Sequence, residues 1–194
     1  TIPWVKTTEI DYGVIRSTEE CITELGFQES AAKMLAPGTV LMAMYGQGIT
    51  RARVAILGVG AACNQACAAI TPIDEAIEPR YLFHFLAYRY ADIRRLAHGG
   101  QQQNLNLDIV RALPVVFPND HKEQAEIIEI VDAIDRKIDL HKRKKTAHED
   151  LFKALLNGLM TGKIRVSDLD LAALDPAAVG GPMAALATAG DAAG

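Results

Sequence analysis

Two arginines, Arg51 and Arg53, follow a Gly46-Gln47-Gly48 break and stand close to Tyr45, Gln47 and Thr50. Guanidinium groups pair with phosphate oxygens or with the acceptor edge of guanine, and carboxamides and hydroxyls can meet base edges. The stretch therefore has the chemistry for nucleic-acid contact, although the same residues read equally well as a solvated turn beside a strand. Gln101, Gln102, Gln103 and Asn104 form a second polar cluster. Carboxamides can pair bidentately with adenine, but a polar loop after Gly99-Gly100 can also satisfy its own backbone, and Asn104 beside Leu105 suits a structural role. Lys6, Thr7 and Thr8 offer phosphate ligands or an ordinary exposed loop.

Other residue types raise different chemistries and fall short of them. Cys63 and Cys67 are spaced like metal ligands, but a zinc site needs four, and only Cys21 and scattered histidines remain. Flanked by alanines, both thiols read as small buried apolar groups. Gly58-Val59-Gly60 follows an apolar run as a dinucleotide or S-adenosylmethionine loop would, but Cys63 takes the third glycine position and no clear helix follows. There is no Asp/Asn-Pro-Pro-aromatic motif of base methylation and no Gly-x-Ser-x-Gly turn to present a nucleophile. The expectation is a chain without metal, cofactor or catalytic centre.

The chain has 194 residues, 49% of them hydrophobic, which suffices for one core plus an appendage. Charged residues interrupt each apolar stretch before it reaches the roughly 18 residues needed to span a bilayer, so no membrane association is expected. Three cysteines do not make an even disulfide framework, and Thr1-Ile2-Pro3-Trp4-Val5-Lys6 has no signal-peptide run; the expectation is a cytoplasmic protein. Thr1 is not an initiator methionine, so residues are expected to precede it in the gene or to have been trimmed. The formal net charge of −4 argues against a protein that is basic overall. Four of the 24 acids, Asp168, Asp170, Asp175 and Asp191, lie beyond Val166, which leaves residues 1–166 with 20 acids against 20 bases. Any contact with a polyanion must then be a local basic surface on a neutral body.

The elements that position these residues fall into two regions. Residues 1–121 read as a compact mixed domain. After the Pro37-Gly38 turn, Thr39–Tyr45 is a buried strand, and Arg51–Leu57 is its hairpin partner, with early alternation that suggests one wet face. Ala66–Ile70 is a further strand ended by Thr71-Pro72. Pro79–Ala97 has apolar residues at near-helical spacing, with Pro79 suited to the first turn. A Pro-bracketed strand, Pro114–Pro118, closes the domain.

From Lys122 to about Lys163 the pattern becomes one uninterrupted helix of about 40 residues, roughly 60 Å at 1.5 Å per residue. Steps of four and three select Ile127, Val131, Ile134, Ile138, His141, Lys145, His148, Phe152, Leu155 and Leu159, a 3.5-residue repeat that predicts a coiled-coil seam. Its polar centre reads either as a solvated section or as a device that sets helix register. The basic run Lys142-Arg143-Lys144-Lys145 reads first as solvated. Gly162 is a candidate helix cap. Residues 164–194, rich in Ala, Gly and Asp, are expected to form a flexible tail.

Taken in order, five segments resemble the target-recognition domain of type I restriction-modification specificity subunits. They are Ile2–Thr7, Leu41–Leu57, Asn64–Cys67, Gly100–Leu105 and the exit from Lys122–Ile128 to Leu159–Lys163, so the similarity covers about residues 1–166. The resemblance implies an α+β fold, a β-rich recognition domain followed by one long helix that forms an antiparallel coiled coil. It implies sequence-specific reading of double-stranded DNA, without catalysis, by a subunit that directs methyltransferase (modification) and restriction/translocase subunits to a bipartite site. In that family two recognition domains each read half of a split site, separated by two helices. This chain has one of each and starts inside the domain, so the resemblance implies a half-subunit that pairs with a second copy or with a missing half.

With the resemblance in hand, Lys6, Thr7, Tyr45, Gln47, Thr50, Arg51, Arg53, Gln101, Gln102 and Gln103 become the candidate DNA contacts. Ile127, Val131, Ile134, Ile138, Phe152, Leu155 and Leu159 become the dimerisation seam of the spacer helix. Two rival readings stand beside this one: a protein-interaction module that binds methyltransferase partners without reading DNA, and an enzyme acting on nucleic acid.

Overall fold

A computed structural model describes residues 1–45, 50–72, 75–96 and 104–168. Two compact units are formed, Thr1–Asp135 and Arg136–Gly194.

The first unit is built on two small sheets. One has the order β3 (Glu20–Ile22), β1 (Ile2–Val5), β6 (Ala62–Cys63), with β1 antiparallel to β3 and parallel to β6. The other runs β2 (Val14–Ile15), β5 (Val54–Leu57), β4 (Val40–Ala43), β7 (Cys67–Ile70), with β4 antiparallel to both its neighbours and β2 parallel to β5. All residues of β4 and β5 are buried, because both faces of this sheet are covered. Successive side chains in a strand point to opposite faces. Val40, Met42, Val54 and Ile56 therefore meet one core with Leu82, Phe83, Leu86, Ile93 and Leu105. Leu41, Ala43, Ala55 and Leu57 meet a second core with Val5, Ile10 and Ile15. A strand buried on both faces reads as a continuous apolar run, which is how β4 appears in the sequence.

The expected hairpin forms, but its second strand starts later than the alternation of Arg51–Arg53 suggests. Ala43 accepts from Ala52 N (2.8 Å) and donates to the Arg53 carbonyl (3.0 Å), so two residues face one. Ala52 has φ 70°. This is a β-bulge with its first residue in the left-handed region, and it places Arg51 and Arg53 in a turn rather than on alternating faces of a strand.

The expected helix over Pro79–Ala97 is two helices, α2 (Pro79–Tyr88) and α3 (Tyr90–Leu96), after the short α1 (Glu24–Gln28). The backbone leaves helical geometry at Arg89. The turn brings Tyr90 edge-on to Tyr12, with 5.7 Å between ring centroids, and Ile93 into the core. Pro79 occupies the first turn as expected. Asn106 then caps α4 (Leu107–Arg111) by accepting from Ile109 N at 2.8 Å.

The expected strand Pro114–Pro118 is absent. Its two prolines supply no N–H, and two of its carbonyls have other partners. Val116 O accepts from the Tyr81 hydroxyl and Pro118 O from Gln124.

The long helix α5 spans His121–Met160, 40 residues. In the second unit, Gly162 at φ 69° turns the chain, and Ile164 folds back over Gly158. A Cβ at 158 would lie 2.6 Å from the Ile164 Cδ1, so a side chain there would displace the end of Ile164. The tail expectation falls almost wholly on residues 169–194, outside the described residues.

Candidate nucleic-acid interface

Of the expected contacts, Gln47, Gln101, Gln102 and Gln103 lie outside the described residues. The others divide into free and committed side chains. Tyr45 is exposed. Thr50 is half-buried, and its carbonyl closes the turn by accepting from Arg53 N at 3.1 Å. Arg51 is only 9% exposed, and its Nε is a buried donor with no partner. Arg53 donates from Nη1 to Asp11 Oδ1 at 2.7 Å and lies over the Tyr12 ring, 5.6 Å from its centroid. Neither arginine is therefore a free surface cation.

Tyr12 completes this group. Its φ is 52°, and its N–H donates to the Val54 carbonyl at 2.9 Å, which ties the segment before β2 to β5. Desolvation pushes its hydroxyl up to about 12, with the neighbouring Tyr90 adding to the rise and Arg53 opposing it. The phenol stays neutral at physiological pH and serves as a platform for the guanidinium.

Lys6 is held as well. Its ammonium lies 2.8 Å from Glu20 and 3.4 Å from Glu19, and the Glu20 hydrogen bond raises its pKa above the ordinary value. Its backbone N–H donates to Glu9 Oε2 at the start of a short 3-10 turn that contains the half-buried Thr7.

The structure adds two clusters that the sequence reading missed. The Gln124 side chain is fully buried, with Oε1 accepting from Glu78 N (2.9 Å) and Nε2 donating to Ala76 O (2.7 Å) and Pro118 O (2.8 Å). Two turns on, Asp132 accepts from Arg80 at 2.8 and 3.0 Å and contacts His84 Nε2 at 2.7 Å. Burial alone would raise the Asp132 pKa, but bonds from Arg80 and His84 outweigh it and hold the carboxyl below its usual range. His84, Asp132 and Asp135 could in principle hold a cation. A guanidinium already occupies the Asp132 oxygens, however, and a cation beside it would be repelled. The cluster has the chemistry of a latch between α2 and the opening turns of α5.

Along α5, Ile134, Ile138 and Phe152 are exposed, at 54%, 46% and 65%. Ile127, Val131, Leu155 and Leu159 are half-buried.

Residues 1–148 match the family model described as "Type I restriction modification DNA specificity domain". The chain belongs to this family. The match takes in the two-sheet domain and more than half of α5. Among curated proteins, the specificity subunit of a type I restriction enzyme from Escherichia coli is 26% identical over 164 residues, covering 77% of this chain and 40% of the relative. This family member thus spans about two-fifths of that relative's length.

Two solved structures share the fold. One was reported under complex assembly and conformational transition of the type I R-M system, with a TM-score of 0.64 at 16% identity, covering 87% of this chain and 39% of that one. The other is an S subunit from M. genitalium, with a TM-score of 0.57 at 15% identity, covering 80% of this chain and 37% of that one. At such identities the likeness is one of fold alone: a mixed-sheet domain followed by a long helix.

Proposed function

We propose that this chain is a non-catalytic DNA-reading module of a type I restriction-modification complex. The observation that carries the reading is the specificity-domain match over residues 1–148, which spans both the domain and the helix that leaves it. In this reading the domain recognises one half of a bipartite site in double-stranded DNA. The helix α5 pairs antiparallel with a second copy, or with the corresponding helix of another half, through Ile127, Val131, Ile134, Ile138, Phe152, Leu155 and Leu159. Methyltransferase subunits, and through them the restriction subunit, act at the site so marked. Exposed isoleucines and phenylalanine on a long helix support the pairing, since apolar seams of this kind are stabilised by a partner.

Burial and ion pairing at the tip narrow the set of residues that would meet DNA. Tyr45 and Thr50 are accessible and remain contact candidates together with Gln47, Thr7 and Gln101–Gln103. Arg53 and Lys6 would reach a phosphate only by giving up carboxylate partners, and Arg51 only by leaving its buried position.

The test is selection of bound duplexes from a random pool by the full chain, followed by titration at several salt concentrations. The expected result is an enriched motif, bound with an affinity that falls steeply as salt rises. No enrichment and no salt-dependent binding, by the chain alone or supplied with methyltransferase subunits, would reject the reading.

A further inference from the structure

A cleft of about 530 Å³ opens on the first unit, lined by none of the residues that the sequence marked as candidate DNA contacts. It is bounded by Trp4 of β1, Lys33 after α1, the β6–β7 turn with Cys63, Asn64 and Gln65, and Arg111 at the end of α4. Among the described residues, none that lines it is a carboxylate, although the chain holds more acids than bases. Other concavities of the domain carry Asp92, Glu75 and Glu78, or Glu9 and Asp11.

The groups in this cleft are also less committed than those of the hairpin. Lys33 is exposed, and no ion pair holds it among the described residues. Arg111 meets only Asp108 of its own helix at 3.2 Å, an exposed pair that water screens. Asn64 shapes the turn, its Oδ1 accepting from Ala66 N at 3.1 Å and from the Cys67 thiol at 3.2 Å, and the turn leaves Gln65 exposed. Two cations, an exposed carboxamide and a half-buried indole are brought together by four separate segments.

We infer that this cleft, rather than the arginines of the hairpin, is the surface on which the domain reads double-stranded DNA. Lys33 and Arg111 take phosphates, and Gln65 takes a base edge. The inference rests on the DNA-reading function proposed above. The absence of carboxylates is what selects a polyanion as the occupant, since each acidic group on a DNA-facing wall would repel the backbone. The division of labour follows from chemistry: a lysine or an arginine at a phosphate positions the duplex, whereas a carboxamide is selective for the base it meets.

Cys63 supplies a reporter, because its thiol lies in the cleft and is half-buried. The adjacent Cys67 side chain draws its pKa below the ordinary thiol value, against the effect of burial. The experiment takes the full chain carrying Cys21→Ser, which removes the exposed thiol. It follows alkylation of Cys63 by iodoacetamide with and without the duplex recovered by selection, or a random 30-base-pair duplex if no motif is enriched. Alkylation is expected to slow several-fold with the duplex present.

In parallel, Lys33→Ala and Arg111→Ala should each lower the slope of log affinity against log salt by about one, leaving the selected motif unchanged. Gln65→Ala should weaken binding on the order of ten-fold or more and relax one position of the motif. All three side chains are exposed, so unchanged melting temperatures are expected to show that the variants fold. If wild type binds DNA while the variants bind with its affinity and salt slope and Cys63 stays unprotected, the cleft assignment falls and the DNA-reading function stands. Protection of Cys63 by inorganic phosphate or mononucleotides, but not by duplex, would make the cleft a small-anion site and overturn the assignment. Absence of DNA binding by wild type overturns both.

Discussion

At the scale of single residues, the domain is marked by charges already spoken for. Arg53 is paired to Asp11, Lys6 to Glu20 and Arg80 to Asp132. The last of these has a consequence for acid stability. The Asp132 pKa is lower in the folded chain than the ordinary 3.8. A depressed carboxylate contributes stability that is fully present above its unfolded pKa and is lost as pH falls through the folded value. Asp132→Asn should therefore cost about 2 kcal/mol at pH 7, the scale of hydrogen bonds to a charged group. Below about pH 3.8 the difference between the two proteins should shrink. Urea unfolding followed from pH 7 to pH 2.5 measures it, and a difference independent of pH would show that the carboxylate's ionisation is not what holds α2 to α5.

These pairings also explain what was hard to read in advance. Asp11 and Arg53 are 42 positions apart, and nothing in a local pattern joins them. Arg51 and Arg53 beside two glycines look like an exposed tip. That reading fails because the bulge at Ala52 turns one guanidinium inward and aims the other at a carboxylate.

At the scale of elements, legibility followed length and periodicity. The buried run of β4 and the 3.5-residue repeat of α5 were plain in the sequence, and the hairpin was too. The strands β1, β2, β3 and β6 have two to four residues each, too few for an alternation to show. Their pairing depends on partners remote in sequence. Pro114–Pro118 looked like a strand because Val115, Val116 and Phe117 favour one, yet its carbonyls are taken by Tyr81 and Gln124 rather than by a neighbouring strand. Gln124 itself, near the start of a long polar helix, gave no sign of being buried. Replacing it by Ala should remove three buried hydrogen bonds, one from the Glu78 N–H and two to the carbonyls of Ala76 and Pro118, at a cost of about 2–4 kcal/mol in chemical unfolding. Gln124→Glu tests the same point more narrowly, since a carboxylate keeps the acceptor and loses both donated bonds. If either variant unfolds with the wild-type midpoint, Gln124 is not the joint described here.

At the scale of the whole molecule, the testable statement is the pairing of α5. A two-fold axis near residue 143 would set Ile127 opposite Leu159, Val131 opposite Leu155 and Ile134 opposite Phe152. With native thiols removed, chains carrying Ile134→Cys and Phe152→Cys should cross-link when mixed, 134 to 152. Efficient 134-to-134 cross-linking would indicate a parallel pair. A strictly monomeric chain by light scattering at micromolar concentration would remove self-pairing and leave pairing with a different half.

The joint at Gln124 bears on how freely the sequence of the domain can vary. Among the described residues, the hydrogen-bond partners of this side chain all belong to the main chain: the Glu78 N–H and the carbonyls of Ala76 and Pro118. Main-chain atoms are the same whatever side chains they carry. The socket is thus blind to the side chains at those three positions and answers there only to the path of the backbone. Side chains elsewhere on the domain can vary without disturbing this joint, whereas Arg80 and His84 of α2 must be kept where Asp132 is to hold its partners. This one joint asks for little to be inherited together: one glutamine on the helix and three backbone positions that face it.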